Sequence, residues 1–189
     1  MTYPPADARD RRRIEKILLA FGYVALAAAV LLADANQPTG YEVSIYDGTP
    51  LVLWGGIGLA LAVSLTVSFV GQPGWIRTSA LGLGGLSVVT VTALPFLRDY
   101  FFNGTADALT HLGWARDIAT GAMEPAELFY PGIHTVAVVV STVTGMGLEA
   151  ALLFTVIAMT AVGVVFVPLL VRAVSRGNRA VVVAAFSMF

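Results

Sequence analysis

Positions 98–134 gather the side chains best suited to chemistry at a water boundary: Asp99, Asp107, His111, Trp114, Arg116 and His134. Asp107 and His111 are four residues apart, so a helix would bring them to one face. A carboxylate there can act as a general base or hold a divalent cation such as Mg or Mn. A neighbouring imidazole can tune that carboxylate, share the metal, or bind phosphate when protonated. The Arg116 guanidinium offers bidentate contacts to phosphate oxygens. Asp99 is a second acidic candidate, and Trp114 and His134 are candidates for contact with substrate.

The same residues have plainer readings. Asp107 in a first helical turn is favoured by the helix dipole alone. His111 can simply be solvated, and Trp114 fits an interfacial anchor. His134 fits a hydrogen-bonded structural group, although ionisable residues within apolar segments carry a functional prior. Arg116 and Asp117 suit surface charges near head groups, and Glu124 and Glu127 suit loop solvation. Asn103-Gly104-Thr105 matches a glycosylation sequon.

The elements that must position these groups follow from composition. Of 189 residues, 57% are hydrophobic and 12% charged, with a mean hydropathy of +0.80. Soluble domains carry roughly 25% charged residues. The net charge of −1 gives no sign of nucleic-acid binding, and the absence of cysteine excludes disulfides and thiolate metal sites. A bilayer core of about 30 Å needs roughly 20 apolar residues as helix. Segments 17–33, 51–70, 79–97 and 150–171 meet that demand. Backbone polar groups in lipid must be satisfied internally, which predicts helices throughout. The many glycines, among them Gly55, Gly56, Gly58, Gly82, Gly84 and Gly85, suit close helix packing.

Segment 130–148 is uncharged but begins Tyr130-Pro131-Gly132 and contains His134. Charge asymmetry decides its course. Arg9, Arg11, Arg12, Arg13 and Lys16 place the N-terminus in the cytoplasm. Segments 34–50 and 98–129 then lie outside. A re-entrant or interfacial 130–148 leaves nine of the eleven basic residues inside, all but Arg98 and Arg116. A crossing 130–148 would put Arg172, Arg176 and Arg179 outside, so the first reading is favoured. The run Arg11 to Arg13, the apolar stretch and Ala33-Asp34-Ala35 also fit a signal peptide, but the stretch is long for one and more spans follow. The expected organisation is a three-helix membrane region (1–97), an outside loop with the 130–148 segment (98–148), and a last span with the start of another (149–189). The chain reads like the N-terminal part of a longer protein.

Within the outside loop the pattern predicts a helix over 106–120. Thr105 is a plausible N-cap and Gly121 a stop. Ala108, Leu112, Ala115 and Ala119 recur at helical spacing as an apolar stripe. Such a helix should lie along the membrane surface with its apolar side down.

Asp107-x-x-x-His111-Leu112, the following Gly-Trp-Ala-Arg-Asp-Ile and Gly121, and then Phe129-Tyr-Pro-Gly-Ile-His134 resemble the first outside loop of GT-C membrane glycosyltransferases. The acidic motif is similar to that of oligosaccharyltransferase-like and protein-mannosyltransferase-like members. The likeness covers about 94–189, including the basic run 172–179. A Tyr-Glu-Val-Ser-Ile-Tyr-Asp segment at 41–47 also resembles uncharacterised membrane proteins of haloarchaea. Two departures stand out: Ala108 replaces a second acid, and two extra helices precede the loop.

The resemblance implies a multi-pass enzyme of the cell membrane, a glycosyltransferase acting on lipid-borne sugars. It would move a sugar from a polyprenyl-phosphate donor to an outside acceptor, among membrane lipids. Asp107 would be the base or a metal ligand, His111 its support, and Arg116 a contact for the donor phosphate. The alternative is a non-enzymatic membrane protein, such as a lipid-linked sugar exporter or an assembly subunit. The uncharged interiors of the four spans disfavour ion-coupled transport.

Overall fold

The computed structural model describes residues 6–40, 42–71, 73–101, 107–175 and 177–187. Every regular element among them is helical: α1 (Ala6–Ala35), α2 (Ile45–Gly48), α3 (Leu51–Val70), α4 (Trp75–Leu97), α5 (Asp107–Thr120), α6 (Gly132–Thr144), α7 (Leu148–Val174) and α8 (Asn178–Phe186), with a 3₁₀ turn at Pro125–Glu127. Four of them, α1, α3, α4 and α7, are long and apolar enough to cross a membrane. Even α3, with 20 residues, reaches about 30 Å at the helical rise. The protein is an all-α membrane protein.

Helix α3 occupies 51–70 as its apolar run predicts, while α4 and α7 gain a turn beyond theirs. Helix α1 runs back through the basic segment, where Arg11 and Glu15 pair one turn apart at 3.4 Å. Charged residues prolong a helix whose apolar part alone fits a bilayer. Helix α6 has 13 residues, short of the roughly 20 that a crossing needs.

The chain forms two compact units. The first comprises Met1–Leu32, Pro50–Thr90 and Ala161–Phe189. Its helices meet closely at glycines. A Cβ on Gly22 would lie 2.6 Å from Leu83 Cδ2 and 3.1 Å from Val63 Cγ1. One on Gly85 would lie 2.4 Å from Val164 Cγ1, and one on Gly56 would lie 3.0 Å from the Ala25 carbonyl oxygen. Gly55 and Gly58, by contrast, have nothing within 4 Å. Only some of the glycines read as packing residues therefore serve packing within the chain. Side-chain hydroxyls add interhelical bonds: Tyr23 donates to the Ser79 carbonyl at 2.8 Å and Ser64 to the Ala80 carbonyl at 2.6 Å.

One end of this unit is basic. Arg11 donates to the Val70 carbonyl at 2.6 Å and Arg77 to the Gly71 carbonyl at 2.9 Å. Both bonds satisfy carbonyls at the C-terminus of α3, where a cation is also favoured by the dipole. Gly74, with φ of 104°, turns the chain into α4. The Lys16 ammonium lies 5.5 Å from the centre of the Trp75 ring.

The second unit comprises Ala33–Thr49 and Val91–Thr160. Its polar anchor is Arg98, only 2% exposed. The guanidinium donates to both Glu42 carboxylate oxygens at 3.1 Å, to Thr49 Oγ1 at 3.1 Å, to the Tyr100 hydroxyl at 2.9 Å and to the Asn36 carbonyl at 2.8 Å. Tyr100 in turn donates to Glu42. One buried cation thus ties the 36–49 loop to the end of α4. Its cost of burial is offset because every side of the fork finds an acceptor.

The other anchor is apolar. Leu112 of α5, Ala137 of α6 and Leu152 of α7 form a core flanked by Ile133 and Leu148. In the expected stripe of α5, Leu112 and Ala115 are buried, Ala108 is half-buried, and Ala119 in the last turn is exposed. Helix α5 ends at Gly121, as its sequence predicts, with φ of 74°. The Ala122 amide donates to the Asp117 carbonyl at 2.8 Å and the Gly121 amide to Ile118 at 3.1 Å. That pair of bonds is a Schellman cap. The Thr105 cap, Ala106, the 103–105 sequon and Arg176 lie outside the described residues.

Two substitutions check this packing. Gly22→Leu should destabilise the protein by about 1–3 kcal/mol through overpacking, while Gly55→Leu should not; melting in detergent measures both. Arg98→Met should cost about 3–5 kcal/mol by stranding Glu42. Arg98→Met combined with Glu42→Gln should recover part of that loss, and equal losses for the single and double variants would deny the coupling.

Candidate functional site

Helix α5 carries Asp107, His111, Trp114 and Arg116, and all belong to the second unit. Asp107 occupies its first turn with a side chain 86% exposed. One turn on, His111 Nε2 lies 3.5 Å from Asp107 Oδ2. The other ring nitrogen, His111 Nδ1, lies 2.9 Å from His134 Nε2. His134 is held in the first turn of α6 and is fully buried at 0% exposure. The two imidazoles stack, with centroids 5.1 Å apart and planes at 24°.

Trp114 closes the cluster. Its ring meets His111 edge to face at 5.3 Å and His134 at 5.5 Å. Tyr130 lies 6.1 Å from His111. Trp114 therefore shields the imidazole pair, a part its anchor reading did not include. The structure places Asp107, His111, His134 and Trp114 in one continuous array. His134, read as a contact for substrate, is fully buried against His111 and Trp114.

Burial lowers the pKa of His134, and charge on His111 lowers it further; the Tyr130 backbone acts in the opposite sense. Among the described residues His134 Nδ1 nevertheless makes no regular hydrogen bond. A neutral His134 and a single shared proton between the rings satisfy these facts. If His134 Nε2 donates, His111 Nδ1 accepts, and His111 Nε2–H is free to face the Asp107 carboxylate. In that tautomer Asp107, His111 and His134 form one line of polar contacts.

Arg116 and Asp99 sit elsewhere. Arg116 Nη2 pairs with Glu149 Oε1 at 2.5 Å. Glu149, unremarked in the sequence, joins Asp99 and Asp34 in lining a cavity of about 620 Å³, with Gln37, Tyr100 and Met146. Asp99 has φ of 54°. It ends α4 in the left-handed position where glycine is usual, its amide bonding to Phe96 at 3.3 Å while the Tyr100 amide bonds to Pro95 at 2.9 Å. A non-glycine residue there is uncommon, and it turns its carboxylate-bearing side chain to the cavity wall. Asp107, His111 and His134 do not line that cavity.

No group of three or more His, Asp or Glu side chains is placed to hold a metal among the described residues. A Mg or Mn ion on Asp107 would draw most of its ligands from water and substrate, as Mg commonly does.

Glu149 and Arg98 were missed by sequence reasoning. Their partners lie 33 and 56 residues away, and local spacing carries no sign of such pairs.

The buried imidazole sets a pH response. Because the folded pKa of His134 lies below the ordinary 6.5, the unfolded chain takes up this proton first. Stability from the neutral His134 ring is full above about pH 6.5 and falls as pH drops toward the folded pKa. His134→Gln should flatten that part of the melting-temperature curve; an unchanged slope would contradict the assignment. Comparison with known families, with curated proteins and with solved structures finds no match, so the functional reading rests on this geometry and on the motif chemistry.

Proposed function

We propose that this multi-pass protein of the cell membrane transfers a sugar from a polyprenyl-phosphate donor to an acceptor hydroxyl outside the cytoplasm. The observation that carries the reading is the Asp107–His111–His134 line, exposed at its carboxylate and buried at its far imidazole. The motif resemblance to GT-C transferases supplies the reaction class. The basic end of the first unit faces the cytoplasm in this reading, α6 does not cross, and α5 lies at the outer boundary.

The chemistry is a displacement at the sugar's anomeric carbon. The acceptor oxygen bonds to that carbon as the bond to the donor phosphate oxygen breaks. Asp107 takes the acceptor proton, and the bonding pair leaves with the polyprenyl phosphate. His111 orients the carboxylate, and buried His134 holds His111. Arg116 exchanges Glu149 for the leaving phosphate, neutralising its charge as it develops. Carboxylates of the 620 Å³ cavity, Asp99 and Asp34, suit the hydroxyls of a sugar.

Asp107→Asn keeps the shape and removes the base. Surface glycan made by cells that depend on the protein should fall by about 100-fold or more, with membrane abundance unchanged. Normal glycan with Asp107→Asn would remove Asp107 from the mechanism and favour a non-enzymatic role.

A further inference from the structure

The first unit has a cavity of its own. It measures about 300 Å³ and is lined by Pro73, Gly74, Arg77, Thr78, Arg172 and the apolar wall of Leu81, Val181 and Val182. Two guanidinium-bearing residues meet there, one from the start of α4 and one from the last turn of α7. No carboxylate lines it among the described residues. Arg77 commits Nη2 to the Gly71 carbonyl, while its Nε is buried without a hydrogen-bond partner among the described residues. A buried cationic donor left unpaired is costly, and an anion is the partner it lacks.

The surroundings favour the same ligand. Pro73, Gly74 and Thr78 put the cavity at the N-terminus of α4, where first-turn amides have no intrahelical acceptor. The Thr78 amide bonds to the Gly74 carbonyl at 3.1 Å, which marks the first closed turn. Thr78 Oγ1 donates to the same carbonyl at 3.3 Å and keeps lone pairs only, so the donors to an anion are the arginines and the amides.

We propose that this cavity binds a phosphate group through Arg77 and Arg172. A planar fork on each of two helices can take several phosphate oxygens at once. Phosphate is the shared chemistry of two sources: the head group of an anionic phospholipid, and free phosphate or diphosphate in solution. The site is independent of the transferase reading, since none of its lining residues belongs to the second unit.

The test uses the full chain in detergent, titrated separately with phosphatidylglycerol and with inorganic pyrophosphate, and followed by thermal shift. Arg172→Gln changes a helix-end residue exposed to solvent, and Arg77→Lys keeps charge but loses the fork. Each should weaken binding by about tenfold, the scale of one charged hydrogen bond. Arg12→Gln, which removes an equal charge outside the cavity, should bind as the unaltered protein does. Sensitivity to these variants with phosphatidylglycerol alone identifies a lipid; sensitivity with pyrophosphate as well identifies a site open to free phosphate. Equal affinities for the unaltered protein, Arg172→Gln, Arg77→Lys and Arg12→Gln with both probes would overturn the proposal.

Discussion

A polar group taken out of water must find a partner, and that constraint shapes this protein at every level. It makes each apolar segment a helix, because only a helix satisfies its own backbone within lipid. It sends Arg11 and Arg77 to the open carbonyls of α3. It surrounds the Arg98 guanidinium with Glu42, Thr49, Tyr100 and Asn36. Among the described residues, Ser68 Oγ, Arg77 Nε and His134 Nδ1 are buried without hydrogen-bond partners; the last two lie in the clusters proposed above to bind phosphate and to support a base.

The imidazole pair shows how the fold converts burial into chemistry. Helix α5 is short and ends in a Schellman turn, so its residues keep a fixed register against α6. The Leu112–Ala137–Leu152 core sets the distance between the two helices. That distance lets His111 and His134 share a hydrogen bond, while Trp114 covers both rings. Asp107, outside this packing, is left to water. A packed imidazole pair behind an exposed carboxylate suits the general-base role proposed for Asp107.

Sequence periodicity went far for the elements and less far for the site. Long uncharged runs located the spans, and Gly121 located the end of α5, because helix length and left-handed caps are local properties. The apolar run 17–33 lies within α1, whose first turns are charged and carry no apolar signal. Asp107 and His111 were readable as neighbours at helical spacing. His134 was readable as an ionisable residue in an apolar run, but its meeting with His111 depends on how α5 and α6 pack. The same holds for Arg98 with Glu42 and for Arg116 with Glu149, pairs made by folding between distant parts of the chain. Asp99 stands out in the sequence by its charge alone, while its left-handed backbone is a property of the fold.

Nitrogen-15 NMR of the histidine rings at neutral pH addresses the central claim directly. A line from Asp107 through His111 to His134 requires coupling across the hydrogen bond between His111 Nδ1 and His134 Nε2, with His134 neutral. Absence of that coupling, or a His134 that charges at the ordinary histidine value, would contradict it.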